Sequence, residues 1–291
     1  MKKVGRILFC FVPFLLTVGI QILISVPFIG IGTAYAICTA NGSLSIYDLY
    51  NSLMNILTRS TFNTWLSATY GLSALIVFSF WYQKRFHAAD VKKIKTVFNP
   101  MIVLAIVLIT IGLQYFINYV ANFTALLFPD WLKAYENLLN VVDMSHVTPV
   151  LAIYAVFIAP IAEEMTFRGV TLSYAKREMP FWIANILQAL LFGIFHMNPL
   201  QGVYAFVIGL FLGYVCHKGG SIFLSILLHA LFNFWGTFVS DNFMYGVNQP
   251  FFFVFWFVLS LVLLAVGFLL FHTGITKRDQ GVHKSEIPSD I

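Results

Sequence analysis

Long, uninterrupted apolar stretches limit what this chain can fold into. A helix needs about 20 consecutive apolar residues to cross a bilayer. We find eight such stretches, at residues 7–28, 66–83, 100–120, 149–170, 181–197, 199–216, 221–240 and 250–272. Their residues are continuously apolar rather than alternating, which favours helices over membrane strands. The sequence therefore predicts an all-α polytopic membrane protein with about eight transmembrane helices.

The composition excludes a soluble fold. Of the 291 residues, 59% are hydrophobic and only 10% are charged, whereas about a quarter of an average soluble domain is charged. The three cysteines, Cys10, Cys38 and Cys216, lie in or beside apolar stretches. They therefore predict neither a disulfide framework nor a CxxC metal site.

The positions of the basic residues predict the orientation of the chain. If the N-terminus is cytoplasmic, 14 of the 17 Lys and Arg residues fall in cytoplasmic segments and two, Arg59 and Lys133, fall outside. This asymmetry predicts an even number of spans with both termini in the cytoplasm. The net charge of +5 is then explained by topology, so no nucleic-acid partner is expected.

Two segments between the predicted spans have the pattern of amphipathic helices. In residues 43–57, apolar residues recur at helical spacing behind Ser43 or Ser45 as a capping residue. Residues 130–142 repeat this pattern. Packing on the membrane surface is the favoured interpretation of both, and a substrate gate is the alternative. The tail from Lys277 to Ile291 is predicted to be disordered.

Ionisable residues inside apolar stretches are costly, so each is a candidate for a functional site. The fourth stretch contains Glu163, Glu164 and Arg168. Glu164 and Arg168 are four residues apart, with the acid N-terminal, as in a helical ion pair. Glu163 lies about 100° around the helix from Glu164. We therefore expect one structural and one working carboxylate, although the three groups could also simply neutralise one another.

Local signals predict how the fifth helix meets the sixth. Asparagine favours the cap position and proline the first helical turn, so Asn198-Pro199 predicts that one helix ends near Met197 and the next begins at Pro199. His196 then occupies a last helical turn. In the sixth helix, the GxxxG sequence from Gly209 to Gly213 predicts close helix packing.

The seventh stretch contains two further polar residues. His229 and Asn233 are four residues apart and share one face of a helix. On their own they could serve only as hydrogen-bonding contacts between helices.

Distance along each helix suggests that these polar groups share one depth. Glu163 is 13 residues from Lys176, or about 20 Å, and His196 is 15 residues from Phe181, or about 22 Å. His229 and Asn233 are 11 and 15 residues from Lys218, or about 16 and 22 Å. The sequence therefore predicts a single polar site inside the bundle.

A carboxylate and two imidazoles at one depth suit the activation of water. The carboxylate acts as a base, an imidazole shares the proton, and hydrogen-bond donors stabilise an oxyanion. The same side chains, Glu163, His196 and His229, could instead hold a Zn²⁺ ion with an open position for water. No HExxH sequence is present, so the zincin arrangement is absent.

Three motifs on successive apolar stretches make a family resemblance specific. Residues 163–168 match EExxxR, residues 192–196 match FxxxH, and residues 229–233 match HxxxN, in that order. The chain from about 147 to 240 resembles the CPBP family of intramembrane proteases, which includes CAAX prenyl endopeptidases of the Ras-converting type and bacterial bacteriocin-processing and immunity (Abi) proteins.

The resemblance implies a role for each motif residue. Glu163 and His196 would activate the water, and His229 and Asn233 would stabilise the oxyanion. Glu164 and Arg168 would complete the first motif. The implied activity is endoproteolysis of a membrane-associated substrate, either a CAAX-type tail or a bacteriocin or leader peptide, in a bacterial cell membrane. Both a metal-dependent and a metal-free scheme stay open, because both use the same side chains.

Other classes of function stay open beside this prediction. Buried Glu and His residues also mark ion pathways, so an ion- or proton-coupled transporter is the main alternative. Inverted repeats or paired broken helices would favour transport, and the sequence shows neither. A non-catalytic immunity protein that only binds a peptide is the third possibility.

The chain is expected to divide into three parts. Residues 1–146 hold the first three helices and the amphipathic segments, residues 147–240 form the catalytic core with helices four to seven, and residues 241–291 hold the last helix and a cytoplasmic tail. The expected partners are the lipid bilayer and a membrane-associated peptide or protein.

Overall fold

A computed structural model describes residues 3–39, 45–86, 97–142, 147–239 and 249–285, and every regular element in these ranges is a helix. We number the helices α1 to α11 in chain order. They are α1 (Lys3–Phe9), α2 (Val12–Thr39), α3 (Ile46–Leu57), α4 (Ser60–Arg85), α5 (Pro100–Leu127), α6 (Pro129–Val142), α7 (Pro149–Glu178), α8 (Phe181–Phe195), α9 (Pro199–Gly219), α10 (Ile222–Phe238) and α11 (Pro250–Ser285). The all-α membrane fold predicted from the sequence is confirmed.

Six apolar helical segments in the described ranges are long enough to cross a bilayer. They are Lys3–Thr39, which joins α1 and α2, together with α4, α5, α7, α9 and Pro250–Gln280 of α11. Helices α8 and α10 are apolar but have only 15 and 17 residues. At 1.5 Å per residue they are about 22 and 26 Å long, shorter than a hydrocarbon core of about 30 Å. The count of eight complete spans therefore stays a prediction.

Helix α5 lies at the centre of the bundle. Its side chains Ile102, Ile106, Ile109 and Leu113 are fully buried, and α5 packs against α9, α10 and α11. Since close packing inside a membrane depends on small residues, Gly112 lets α11 approach α5 closely. A Cβ atom at this position would lie 3.0 Å from the backbone nitrogen of Leu264. This contact anchors the last helix to the core.

Helix α7 is interrupted by two π-helical turns, at Tyr154–Ile158 and Met165–Thr171. A π-turn bonds each N–H to the carbonyl five residues earlier and is frequently found at functional sites. Between the two turns, the α-helical segment Ala159–Glu164 carries both glutamates of the first motif. The sequence analysis assumed a regular α-helix here and missed both π-turns.

The junction of α8 and α9 follows the predicted local signals. The Asn198 side chain accepts a hydrogen bond from the Gln201 backbone N–H at 3.0 Å, and Pro199 opens α9. Helix α8 ends at Phe195, two residues before the predicted end, and Met197 has a left-handed φ of 55°. The two helices thus reverse direction within three residues.

The predicted close packing at GxxxG is confirmed at both glycines. A Cβ atom on Gly209 would lie 3.1 Å from the Cα atom of Ala189, and one on Gly213 would collide with the Asn185 side chain. Asn185 in turn donates a hydrogen bond to the Leu210 carbonyl at 3.0 Å. The small residues therefore allow α8 to lie against α9.

Both predicted amphipathic segments are helices. Ser45 caps α3 by accepting a hydrogen bond from the Asp48 backbone N–H at 3.1 Å. Helix α6 packs against α9, where the hydroxyl oxygens of Tyr135 and Tyr204 are 3.2 Å apart. Tyr135 and Leu138 of α6 also line a cavity inside the bundle, so this helix forms part of the cavity wall.

The prediction of a disordered tail is wrong for residues 277–285, where α11 continues to Ser285. The physical reason is Arg278, which is only 6% exposed. It donates to the Gly219 carbonyl at the end of α9 (2.8 Å) and pairs with Asp279 (2.9 Å). Residues 286–291 lie outside the described residues.

Several contacts bring predicted cytoplasmic segments to one end of the bundle. Arg6 pairs with Glu178 at 2.7 Å, which joins the first helix to the end of α7. Arg177 lies over the ring of Phe86, which follows α4, at 4.7 Å. Together with the contact of Arg278, these interactions involve the ends of five helices, α1, α4, α7, α9 and α11, as the predicted topology requires. The assignment of this end to the cytoplasm stays a prediction.

Candidate active site

Four of the six predicted site residues line one cavity of about 570 Å³ inside the bundle. They are Glu163 from α7, His196 at the end of α8, and His229 and Asn233 from α10. The cavity wall also includes residues of α2, α4, α6 and α9. Three helices that are separate in sequence therefore present their rare polar side chains to the same space.

The other two predicted residues, Glu164 and Arg168, form a buried ion pair behind the cavity wall. Arg168 Nη1 lies 2.9 Å from Glu164 Oε1, and neither side chain has any exposed surface. The guanidinium group also lies 4.4 Å from the centre of the Phe192 ring. Its Nη2 donates a long bond of 3.4 Å to the Gly209 carbonyl. The pairing predicted from the spacing of four residues is present, and it ties α7 to α8 and α9.

His229 lies between the two adjacent carboxylates. Its Nδ1 is 2.9 Å from Glu164 Oε1, and its Nε2 is 3.6 Å from Glu163 Oε2. An ionised carboxylate only accepts hydrogen bonds, so Nδ1 carries a proton that it donates to Glu164. Nε2 is then directed towards Glu163. Glu164 thus fixes the orientation of the imidazole as well as pairing with Arg168.

The charges of the first motif do not balance among themselves. With both carboxyl groups ionised, the carboxylates of Glu163 and Glu164 and the guanidinium of Arg168 sum to one negative charge. A His229 ring that carries a proton on both nitrogens would balance this charge and would make Nε2 a donor towards Glu163, whereas a proton on Glu163 would leave Nε2 as an acceptor.

Glu163 differs from Glu164 in its surroundings. Its side chain is 16% exposed, whereas that of Glu164 is fully buried. Glu163 faces the cavity, and its nearest ionic contact is His229 rather than Arg168. The alternative in which all three charges of the first motif simply neutralise one another does not describe this arrangement.

His196 is held by its own helix. Its Nδ1 is 2.8 Å from the Phe192 carbonyl, which can only accept, so Nδ1 is the donor, and in the neutral ring Nε2 keeps its lone pair. The Phe192 ring meets the rings of His196 and His229 edge to face, at 4.7 and 5.7 Å. This single aromatic ring therefore packs against both imidazoles and against Arg168.

Asn233 has one contact that fixes its side chain. Its Nδ2 donates to the Ala155 carbonyl, in the first π-turn of α7, at 2.9 Å. A carboxamide nitrogen carries two hydrogens. One N–H of Asn233 is therefore left for the cavity.

The sequence analysis missed several polar residues of the cavity wall. Tyr70 of α4 shares a hydroxyl contact of 3.2 Å with Thr17, and Tyr154 lies on the first π-turn. Tyr204 and Gln201 line the cavity from the start of α9. None of these side chains is charged at neutral pH, and tyrosines occur widely in membrane helices, so no charge signal singled them out.

The predicted zinc ligands are Glu163, His196 and His229. Within the described part of the chain, no group of three or more His, Cys, Asp or Glu side chains is arranged to hold a metal ion. His196 and His229 already use Nδ1 to bond Phe192 and Glu164, and only their Nε2 atoms are open. The zinc set therefore stays a prediction.

Comparison with known protein families gives a match over the helices that form the site. No curated protein and no solved structure matches the chain significantly. The family model described as type II CAAX prenyl endopeptidase Rce1-like matches residues 145–235. This segment contains all six predicted site residues and the helices that bring them together. The segment that holds these six residues is therefore similar to the Rce1-like CAAX prenyl endopeptidase family, in agreement with the resemblance shown by its three motifs.

Proposed function

We propose that the protein is an intramembrane endopeptidase that hydrolyses a peptide bond of a membrane-associated substrate inside the central cavity. The observation that carries this proposal is the convergence of Glu163, His196, His229 and Asn233 on one cavity wall. These groups supply a base, a neutral imidazole and two donors, which is what addition of water to an amide requires. The match to an endopeptidase family supports the same conclusion.

In the proposed reaction, water binds between Glu163 and His196 and attacks the carbonyl carbon of the scissile bond. Glu163 accepts a proton from the water as the new C–O bond forms. The Nε2–H of His229 and the second N–H of Asn233 stabilise the oxyanion of the tetrahedral intermediate. The proton on Glu163 then passes to the leaving nitrogen as the C–N bond breaks, which yields a carboxylic acid and an amine; the acid then returns its proton to solvent.

Glu164 and Arg168 act on this reaction indirectly. Glu164 holds Nδ1 of His229, which directs Nε2 towards the reacting carbonyl. Arg168 balances the charge of Glu164, because neither side chain is exposed to water. We propose a CAAX-type tail or a bacteriocin or leader peptide as the substrate and a bacterial cell membrane as the location.

A peptide-cleavage assay on the purified protein tests this function. Removal of a general base costs about 10²–10⁴-fold in rate, so Glu163→Gln and His196→Ala are expected to lower kcat by factors in this range. Glu136→Gln on α6 and His272→Ala on α11 make the same chemical changes at exposed positions away from the cavity. They are expected to cleave like the parent.

Two outcomes would refute the proposal. If Glu163→Gln and His196→Ala cleave as fast as the parent, the site is wrongly assigned. If the parent cleaves nothing but carries out proton-coupled uptake into proteoliposomes, and Glu163→Gln abolishes that uptake, the protein is a transporter. The effect of chelators and the metal content of the active protein distinguish a zinc-bound from a metal-free water.

A further inference from the structure

The Ala155 carbonyl lacks its usual backbone donor. In a regular α-helix it would accept from the N–H of Ala159, four residues later. In the π-turn, the Ala159 N–H bonds the Tyr154 carbonyl instead. A continued π-turn would supply the N–H of residue 160, but residue 160 is proline, which has none. Proline at this position therefore leaves the Ala155 carbonyl open.

The side-chain amide of Asn233 donates a hydrogen bond to this open carbonyl. Its Nδ2 is 2.9 Å from the Ala155 oxygen, so a side chain of α10 replaces the missing backbone donor of α7. A carbonyl without a partner is costly in a membrane interior. The hydrogen bond to Ala155 therefore favours this orientation of the Asn233 side chain. Both residues line the cavity that contains Glu163 and His229.

We propose that Pro160 is a positioning residue that orients Asn233 for oxyanion binding through the Ala155 carbonyl. With one N–H anchored on Ala155, the carboxamide cannot rotate freely, and its second N–H is fixed relative to Nε2 of His229. Pro160 is buried and lies three residues before Glu163. The same helical segment thus provides the base and sets the orientation of an oxyanion donor. This inference rests on the proposed endopeptidase function.

Replacement of Pro160 by alanine tests the inference. Alanine restores an N–H that competes with Asn233 for the Ala155 carbonyl. Loss of one oriented oxyanion donor costs about 10²–10³-fold in kcat, and we expect Pro160→Ala to lose about tenfold, since Asn233 is still present. KM should change less than about twofold, because binding of the ground-state substrate does not depend on this donor.

The fold provides a matched control. Pro27 is also a proline inside an apolar helix, but it is exposed on α2 and does not line the cavity. Pro27→Ala is expected to leave kcat unchanged. The thermal midpoint of Pro160→Ala in detergent should equal or exceed that of the parent, because alanine favours a helix interior. A less active variant with an undiminished midpoint separates positioning from a loss of folding.

A double-mutant cycle links the effect to Asn233. If Pro160 acts through Asn233, Pro160→Ala should lower kcat in the parent but not in an Asn233→Ala background. Multiplicative losses in the double variant, or a Pro160→Ala variant that cleaves like the parent, would overturn the inference. A loss of kcat accompanied by a lower thermal midpoint would overturn it too.

Stability measurements keep this test separate from the proposed function. Asn233→Ala should lower the thermal midpoint in the parent, because the Ala155 carbonyl loses its partner, but should have little effect when Pro160→Ala supplies a new one. This result supports the positioning contact even if the parent cleaves no peptide, in which case only the proposed function fails. Equal effects of Asn233→Ala in both backgrounds would refute the contact.

Discussion

Removal of Arg168 should destabilise the protein far more than removal of an exposed arginine. Arg168→Ala leaves the Glu164 carboxylate fully buried without its cation. Loss of one member of a buried ion pair costs about 3–5 kcal/mol. The variant also loses the contact of the guanidinium with the Phe192 ring. We therefore expect the free energy of unfolding to fall by about 3–5 kcal/mol.

The Arg6–Glu178 pair is the matched control. Its N–O distance is 2.7 Å, but the Arg6 side chain is 50% exposed. Exposed ion pairs contribute about 0–1 kcal/mol, so Arg6→Ala should have a small effect although its pair is the shorter one. The prediction therefore depends on burial and not on distance.

Denaturant-induced unfolding in detergent micelles, followed by far-ultraviolet circular dichroism, measures both free energies. Addition of Glu164→Gln to Arg168→Ala removes the uncompensated carboxylate and should recover part of the loss. If the free energies of unfolding of Arg168→Ala and Arg6→Ala differ by less than about 1 kcal/mol, burial of the Glu164 charge does not determine the loss of stability. If the double variant is less stable than Arg168→Ala, the carboxylate is not the source of the loss.

Two further predictions concern the packing of the bundle. Gly213→Ala should lower the thermal midpoint in detergent, because its Cβ collides with the Asn185 side chain, whereas Gly19→Ala meets nothing within 4 Å and should not; equal midpoints would refute the close contact. Arg278→Ala removes the bond to the end of α9 and should increase the rate of tryptic cleavage after Lys277. Unchanged cleavage would show that Arg278 does not hold this part of α11.

The helices could be predicted because their signals are local. Apolar length identifies the positions of the membrane helices, and capping residues such as Ser45 and Asn198 act within three residues. The tail was mispredicted because its stabilising contact is not local. Arg278 donates to Gly219, which is 59 residues away in sequence, and no window of sequence around Lys277 contains that acceptor.

The ionisable residues of the site could be predicted because such residues are rare in these apolar helices. Depth along each helix grouped Glu163, His196 and His229, and all three line the cavity. The partners that orient them were not predictable from spacing. His229 bonds Glu164 across 65 residues and Asn233 bonds Ala155 across 78. The second contact also requires a π-turn that the apolar pattern of α7 does not reveal.

Adjacent carboxylates have different surroundings because a helix separates neighbouring side chains by about 100°. This rotation directs Glu164 towards Arg168 and towards Nδ1 of His229. Glu163 instead faces the cavity and Nε2 of His229. Two consecutive residues thus contact the two nitrogens of one imidazole. Because the Glu164 contact occupies Nδ1, Nε2 is the nitrogen of His229 that faces Glu163. The ion pair behind the wall therefore orients the imidazole so that Nε2 and Glu163 lie together at the cavity, next to the proposed substrate.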